Sequence, residues 1–77
     1  MATSFSEWAW NGRLLHGGLT EVSIAGERGR FRFHRYCVGA SGSRWVEVFG
    51  GPPGRAPSWR AFPPERIKTV HAKEKLR

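Results

Sequence analysis

The sequence predicts a small all-β protein made of one domain. Apolar and polar residues alternate in short runs, as they do in half-buried strands, and the clearest run is RFRFHRYCV, residues 30–38. Glycine and proline separate these runs, and no segment has the length and apolar spacing of an amphipathic helix. A chain of 77 residues has room for one core, because it buries only ~60% of the surface that its unfolded form exposes.

The first predicted element is a β-hairpin over residues 7–18, which follows a flexible segment at residues 1–6. Asn11-Gly12 is typical of a type I′ turn, because both positions tolerate a positive φ. Two tryptophans alternate before this turn and two leucines follow it. A two-turn helix that ends at Gly12 is the alternative.

Five more strands are predicted, over residues 19–26, 30–38, 44–51, 58–62 and 66–71. In the second of them Phe31 and Phe33 alternate with Arg30, Arg32 and His34, so the phenylalanines should face the core and the basic residues solvent. This alternation slips after His34, which predicts a β-bulge that returns Tyr36 or Cys37 to the core side. In the next strand the valines are expected to face inward.

The order of these elements resembles a small SH3-like barrel. Pro63-Pro64-Glu65 predicts one 3₁₀ turn before the last strand, and five short strands with such a turn resemble the arrangement of Tudor and KOW domains. The resemblance covers residues 19–71, so the hairpin is an addition that joins the sheet or covers one mouth of the barrel, and residues 72–77 form a charged, frayed tail. TEVSIAGERGRFRF and WRAFPPERIKTVH are also similar to uncharacterised small proteins of actinobacterial phages, which implies a phage setting but no activity.

The net charge of +7 favours an acidic partner such as nucleic acid or an acidic protein surface. No apolar run is long enough to span a membrane, and the first residues lack the pattern of a signal peptide. A single cysteine, Cys37, excludes an intramolecular disulfide and favours a reducing compartment. We therefore expect a cytoplasmic protein, located in the host cytoplasm if a phage encodes it.

Catalytic and metal chemistry are not expected. Cys37 and His34 lie on opposite faces of an ideal strand, so they do not make a nucleophile and its base. The three histidines and the cysteine lack the spacing of a zinc site, and GERGR and GGPPGR do not match a phosphate-binding loop. The sequence predicts a non-enzyme without catalytic residues, metal or cofactor.

Nucleic acid is the preferred partner. Arginines next to rings that could be exposed, including Trp59, would combine phosphate contacts with base stacking. The predicted binding residues are Arg28, Arg30, Arg32, His34, Tyr36, Arg44, Trp45, Arg60 and Lys68. Arg44 is expected opposite Tyr36.

Three other interpretations remain open. The protein could dock on an acidic host protein through tryptophan and arginine, or the basic strand face could simply be solvated. A methyl-lysine cage formed by Trp45, Glu47 and Phe49 is the third. Either a monomer or a homodimer is compatible with the sequence.

Overall fold

The computed structural model describes residues 2–71, which form eight antiparallel strands and no α-helix. The prediction of an all-β protein is therefore confirmed, whereas the expected tail at 72–77 lies outside the described residues. The strands are β1 (Thr3–Phe5), β2 (Glu7–Trp10), β3 (Arg13–His16), β4 (Glu21–Ile24), β5 (Arg30–Val38), β6 (Arg44–Gly51), β7 (Ser58–Phe62) and β8 (Ile67–His71). A 3₁₀ turn at Pro64–Arg66 precedes β8.

The larger sheet has the strand order β7-β6-β5-β4-β8. Strands β4 to β7 follow one another as a meander, and β8 returns to pair with β4. Among the described residues no ladder joins β7 to β8, so this sheet is open. Pro63 and Pro64 lie between those two strands, and they cannot extend a ladder because they have no backbone N–H.

β1 is a strand that the sequence pattern does not predict. It pairs with the second half of β5, where Thr3 lies opposite Val38 and Phe5 opposite Tyr36. β4 pairs with β5 only at Phe31 and Arg32, so the rest of that edge of β5 has no partner from β4. β1 covers this edge, which would otherwise present unpaired backbone groups.

A bulge in β5 lies where the sequence predicts it. Phe33 is opposite Val48 and Arg35 is opposite Glu47, so His34 is the extra residue. Because of this extra residue, the side chain of Arg35 lies on the solvent face and that of Tyr36 returns to the core side.

The core lies on one face of the larger sheet and is closed by the hairpin β2–β3. Phe31 and Phe33 are almost fully buried, as predicted, and the ring of Phe31 meets that of Phe62 edge-on at 5.6 Å. The inward orientation of both valines in β6 is confirmed as well. The buried cluster contains Leu15, Val22, Ile24, Phe31, Phe33, Val46, Val48, Phe62 and Ile67.

The hairpin forms a separate two-stranded sheet that covers the core side of the larger one. Its turn has φ values of 50° at Asn11 and 78° at Gly12, which agrees with the predicted type I′ turn. The Trp8 ring stacks on Tyr36 with 4.4 Å between centroids and lies 6.0 Å from Phe33. Among residues 2–71 the hairpin neither joins the larger sheet nor covers the mouth of a closed barrel, because the larger sheet is open; it covers the core face instead.

Candidate nucleic-acid interface

The outer face of the larger sheet, opposite the core, gathers basic and aromatic side chains from three strands. The register places Arg32 opposite Phe49, and Phe49 opposite Trp59, so these residues form a row across β5, β6 and β7. Adjacent strands lie about 4.8 Å apart, which puts the backbones of Arg32 and Trp59 about 10 Å apart. We call Arg32, His34, Arg35, Phe49 and Trp59 the aromatic–arginine patch.

Trp59 is the most exposed ring of this patch. Its side chain lies on the edge strand β7 and is 57% exposed. The ring centroid is 5.1 Å from that of Phe49 and 4.6 Å from that of His34. Two neighbouring rings therefore hold the indole in place while much of its surface stays in solvent, so a ligand can bind it at a low cost in side-chain entropy.

The arginines of the outer face differ in their partners. Arg35 Nε lies 3.0 Å from Glu47 Oε1, and Arg30 lies 3.4 Å from Glu21. Arg32 has no carboxylate within 4 Å among residues 2–71. Exposed ion pairs contribute only about 0–1 kcal/mol, so a phosphate can replace either glutamate at a small cost.

His34 is a neutral ring in a basic environment. Burial lowers the pKa of its imidazole, and the charges of Arg32 and Arg35 lower the pKa further. At neutral pH the ring therefore adds no positive charge to the patch. A bound phosphate would offset the two guanidiniums and raise the pKa of His34.

Two clefts lie on either side of the Phe49–Trp59 pair. One, of about 350 Å³, is lined by Arg35, Glu47, Trp59, Arg60 and Ala61. The other, of about 250 Å³, is lined by Glu21, Arg30, Arg32, Phe49, Gly50 and Pro57. Each cleft thus combines an aromatic wall with two guanidiniums and one carboxylate.

Four predicted binding residues lie on β5 and β6 of the outer face. Arg30, Arg32 and His34 come from β5, and Trp45 lies on the same side of β6. The indole N–H of Trp45 donates a hydrogen bond to Glu47 Oε2 at 3.1 Å, and its side chain is half-buried. Trp45 is therefore a neighbour of the patch that helps to hold Glu47.

Tyr36 and Arg44 do not join this surface. Tyr36 lies on the core side, where its ring is almost parallel to that of Trp8, at 3°. Arg44 is opposite Val38 rather than Tyr36, so that expectation is wrong, because the strand pair closes directly at the loop over residues 39–43. The guanidinium of Arg44 pairs with Glu65 at 2.9 Å.

The remaining predicted residues are dispersed. Arg60 has the core-side register, with its guanidinium 5.0 Å from the centre of the Phe62 ring, although it also borders the larger cleft. Lys68 lines a third cleft, of about 240 Å³, beside Arg13 in the hairpin. Arg28 is exposed in the turn between β4 and β5.

Three members of the patch are absent from the predicted binding residues: Arg35, Phe49 and Trp59. The bulge in β5 is the signal that could have identified Arg35, because one extra residue moves it to the outer face and Tyr36 to the core side. Phe49 reaches the outer face because it alternates with the inward valines of β6, and Trp59 is among the rings expected to stack on bases. Their contact depends on the register between β6 and β7, which a sequence alone does not give.

Cys37 does not have the environment of a nucleophilic cysteine. Burial raises the pKa of the Cys37 thiol, and Glu47 raises the pKa further, whereas a nucleophilic cysteine needs a lowered pKa. Within residues 2–71 no three histidine, cysteine or glutamate side chains come together to hold a metal ion. The same part of the chain contains no helix that is long and apolar enough to cross a membrane.

Comparison with known proteins gives a family without an assigned activity. Searches among curated proteins and among solved structures found no match. A family model described as "Domain of unknown function (DUF7246)" matches residues 2–77. Because this match covers almost the whole chain, the protein belongs to the DUF7246 family.

Proposed function

We propose that this protein is a small, non-enzymatic binding module that holds nucleic acid by its phosphate backbone. The outer face binds, and Arg30, Arg32 and Arg35 contact phosphates. The observation that carries this proposal is the row of Arg32, Phe49 and Trp59. Arg32 has no ion pair among residues 2–71, Trp59 is exposed, and the ring of Phe49 lies between them. Phosphate contacts with adjacent aromatic rings are the usual combination in nucleic-acid binding.

The charge balance supports weak, salt-sensitive binding. The whole chain has a net charge of +7, which attracts a polyanion from a distance. Three arginines and two glutamates share the outer face, so the local excess of positive charge is small. If each arginine neutralises one phosphate, log K for a single strand should fall with log salt with a slope of about −2.

The architecture and setting are part of the proposal. We infer an open form of the SH3-like arrangement, because the meander β4 to β7 is followed by a 3₁₀ turn and by β8 beside β4. We also propose a relationship to phage proteins, which follows from the resemblance, and a cytoplasmic location, which follows from the single cysteine. In this arrangement the hairpin covers the core side, and the ligand meets the opposite side of the sheet.

Titration of a labelled random duplex and a labelled random single strand, at low and at moderate salt, tests this function. Binding that weakens steeply with salt supports it, and no binding at low salt refutes it. The double variant Arg30→Glu/Arg32→Glu should abolish binding. The control Arg13→Glu/Lys68→Glu makes the same charge change beside the hairpin and should retain most of the affinity. Equal losses in both variants would contradict a localised site.

An acidic protein surface is the second candidate partner, and the exposed Trp59 between arginines favours it. Tryptophan and arginine are enriched at the centres of protein interfaces. Polyglutamate provides a defined probe: if it competes as well as nucleic acid at equal charge, the phosphate proposal loses its support. A pull-down from a nuclease-treated host lysate then tests for an acidic protein that requires Arg30 and Arg32.

A further inference from the structure

We infer that the nucleic acid is single-stranded, and that one unstacked base packs on Trp59 in the larger cleft. This inference rests on the proposed function and specifies its ligand. It starts from the indole of Trp59, which is 57% exposed although Phe49 and His34 contact it from within the sheet.

An exposed ring of this kind suits a base that has left its stack. Within a duplex, each base lies between its neighbours and offers only its edge in a groove. A single strand can turn a base outward, and an aromatic side chain then provides the stacking partner that the base has lost. Sheet faces that carry aromatic rings are common platforms for such bases.

The two clefts define a path for a short strand. Arg30 and Arg32 line the smaller cleft with Phe49, and Trp59 is a wall of the larger one. Arg32 and Trp59 lie about 10 Å apart, which is two strand spacings. A phosphate on Arg32 and a base on Trp59 can therefore belong to the same short stretch of nucleic acid.

The larger cleft also offers polar contacts to the edge of that base. Arg35 and Glu47 line it beside Trp59, and they form an ion pair of 3.0 Å. A carboxylate accepts hydrogen bonds and a guanidinium donates them, so Glu47 can accept from an amino group on the base edge while Arg35 donates to the phosphate next to that base. The larger cleft is then the base site, with one phosphate contact at Arg35, and Arg30 and Arg32 in the smaller cleft contact the neighbouring phosphates.

Fluorescence anisotropy with a labelled mixed-sequence strand of ~12 nucleotides, and with its duplex, tests the inference. The single strand should bind more tightly than the duplex. Trp59→Ala should weaken single-strand binding by roughly 5- to 100-fold and leave duplex binding within about twofold. Leu14→Ala is the matched control, because Leu14 is 53% exposed but lies on the hairpin; its affinity should not change. Circular dichroism establishes that each variant is folded.

Trp59→Phe provides a second readout that does not depend on the alanine variant. This variant should keep most of the affinity, because phenylalanine still stacks on a base. The bound single-stranded nucleic acid should quench tryptophan fluorescence in the wild type, and Trp59→Phe should lose this quenching. Equal affinities of the wild type and Trp59→Ala for the single strand would overturn the inference and leave the phosphate proposal intact. Binding of neither nucleic acid would overturn the proposed function itself.

Discussion

Replacement of Trp8 by alanine tests whether the β2–β3 hairpin is part of the hydrophobic core. The Trp8 ring lies between other rings, with centroid distances of 4.4 Å to Tyr36, 5.0 Å to Trp10 and 6.0 Å to Phe33. Removal of a buried Trp costs about 3–5 kcal/mol, and Trp8 is half-buried. We therefore expect Trp8→Ala to lower the free energy of unfolding by about 3 kcal/mol.

This loss would be a large part of the total stability. A domain of this size has a free energy of unfolding of about 4–12 kcal/mol, and a loss of about 3 kcal/mol lowers Tm by roughly 12–24 °C. Urea unfolding followed by far-ultraviolet circular dichroism measures the change without relying on tryptophan fluorescence. Trp8→Phe keeps the stacking and should cost clearly less.

Leu14→Ala is the control on the same hairpin, because that side chain is exposed and its loss should change stability by no more than about 0.5 kcal/mol. The reasoning is refuted if Trp8→Ala is no more destabilising than Leu14→Ala. That result would mean that the hairpin does not contribute its aromatic rings to the core.

Three further predictions follow from the structure. Gly29 has a φ of 80°, and a Cβ there would collide with a backbone carbonyl of β6, whereas Gly42 has a φ of 94° with open space around it. Gly29→Ala should therefore lower the free energy of unfolding in urea by about 1–3 kcal/mol more than Gly42→Ala does. Burial, and then the neighbouring guanidiniums, lower the pKa of His34 in the folded state. The neutral imidazole therefore favours the folded state above pH 6.5, and this stabilisation is lost as pH falls through 6.5 towards the folded pKa. The wild type should thus lose more stability than His34→Gln between pH 7 and pH 5. His71, whose pKa is also lowered, is present in both proteins and does not contribute to the difference. Equal losses of stability would contradict this prediction. Glu47→Gln removes a carboxylate that repels phosphate and should raise affinity for a single strand by about two- to fivefold in anisotropy titrations; an unchanged or lower affinity would argue against phosphate near Glu47.

Much of the fold follows from local patterns that depend on one strand at a time. Phe31 and Phe33 alternate with arginine, and this alternation alone decides which face is buried. The slip after His34 identifies the bulge because it breaks that alternation, and Asn11-Gly12 identifies the turn because few residues accept a positive φ. β1 could not be predicted in this way, since Thr3–Phe5 is short and pairs only because β4 leaves an edge of β5 open.

The candidate site was less accessible from the sequence, because it depends on how strands align with one another. Arg30 and Arg32 could be assigned to the outer face from alternation in β5. The partnership of Arg32 with Phe49 and Trp59 requires the registers of two strand pairs, and a change of one residue would place Trp59 on the other face. The prediction that Tyr36 belongs to the site is wrong for a different reason: the bulge in β5 returns its side chain to the core side, where the ring stacks on Trp8 of the hairpin.

The salt dependence of single-strand binding by the wild type and by Arg32→Ala tests the central claim most directly. Arg32 has no ion pair among residues 2–71, so its replacement removes a phosphate contact without leaving a carboxylate unpaired. The wild-type plot of log K against log salt should have a slope of about −2, and Arg32→Ala should make that slope shallower by about 0.7. An identical slope in the variant, or no binding by the wild type at low salt, would contradict the claim that the outer face binds phosphate.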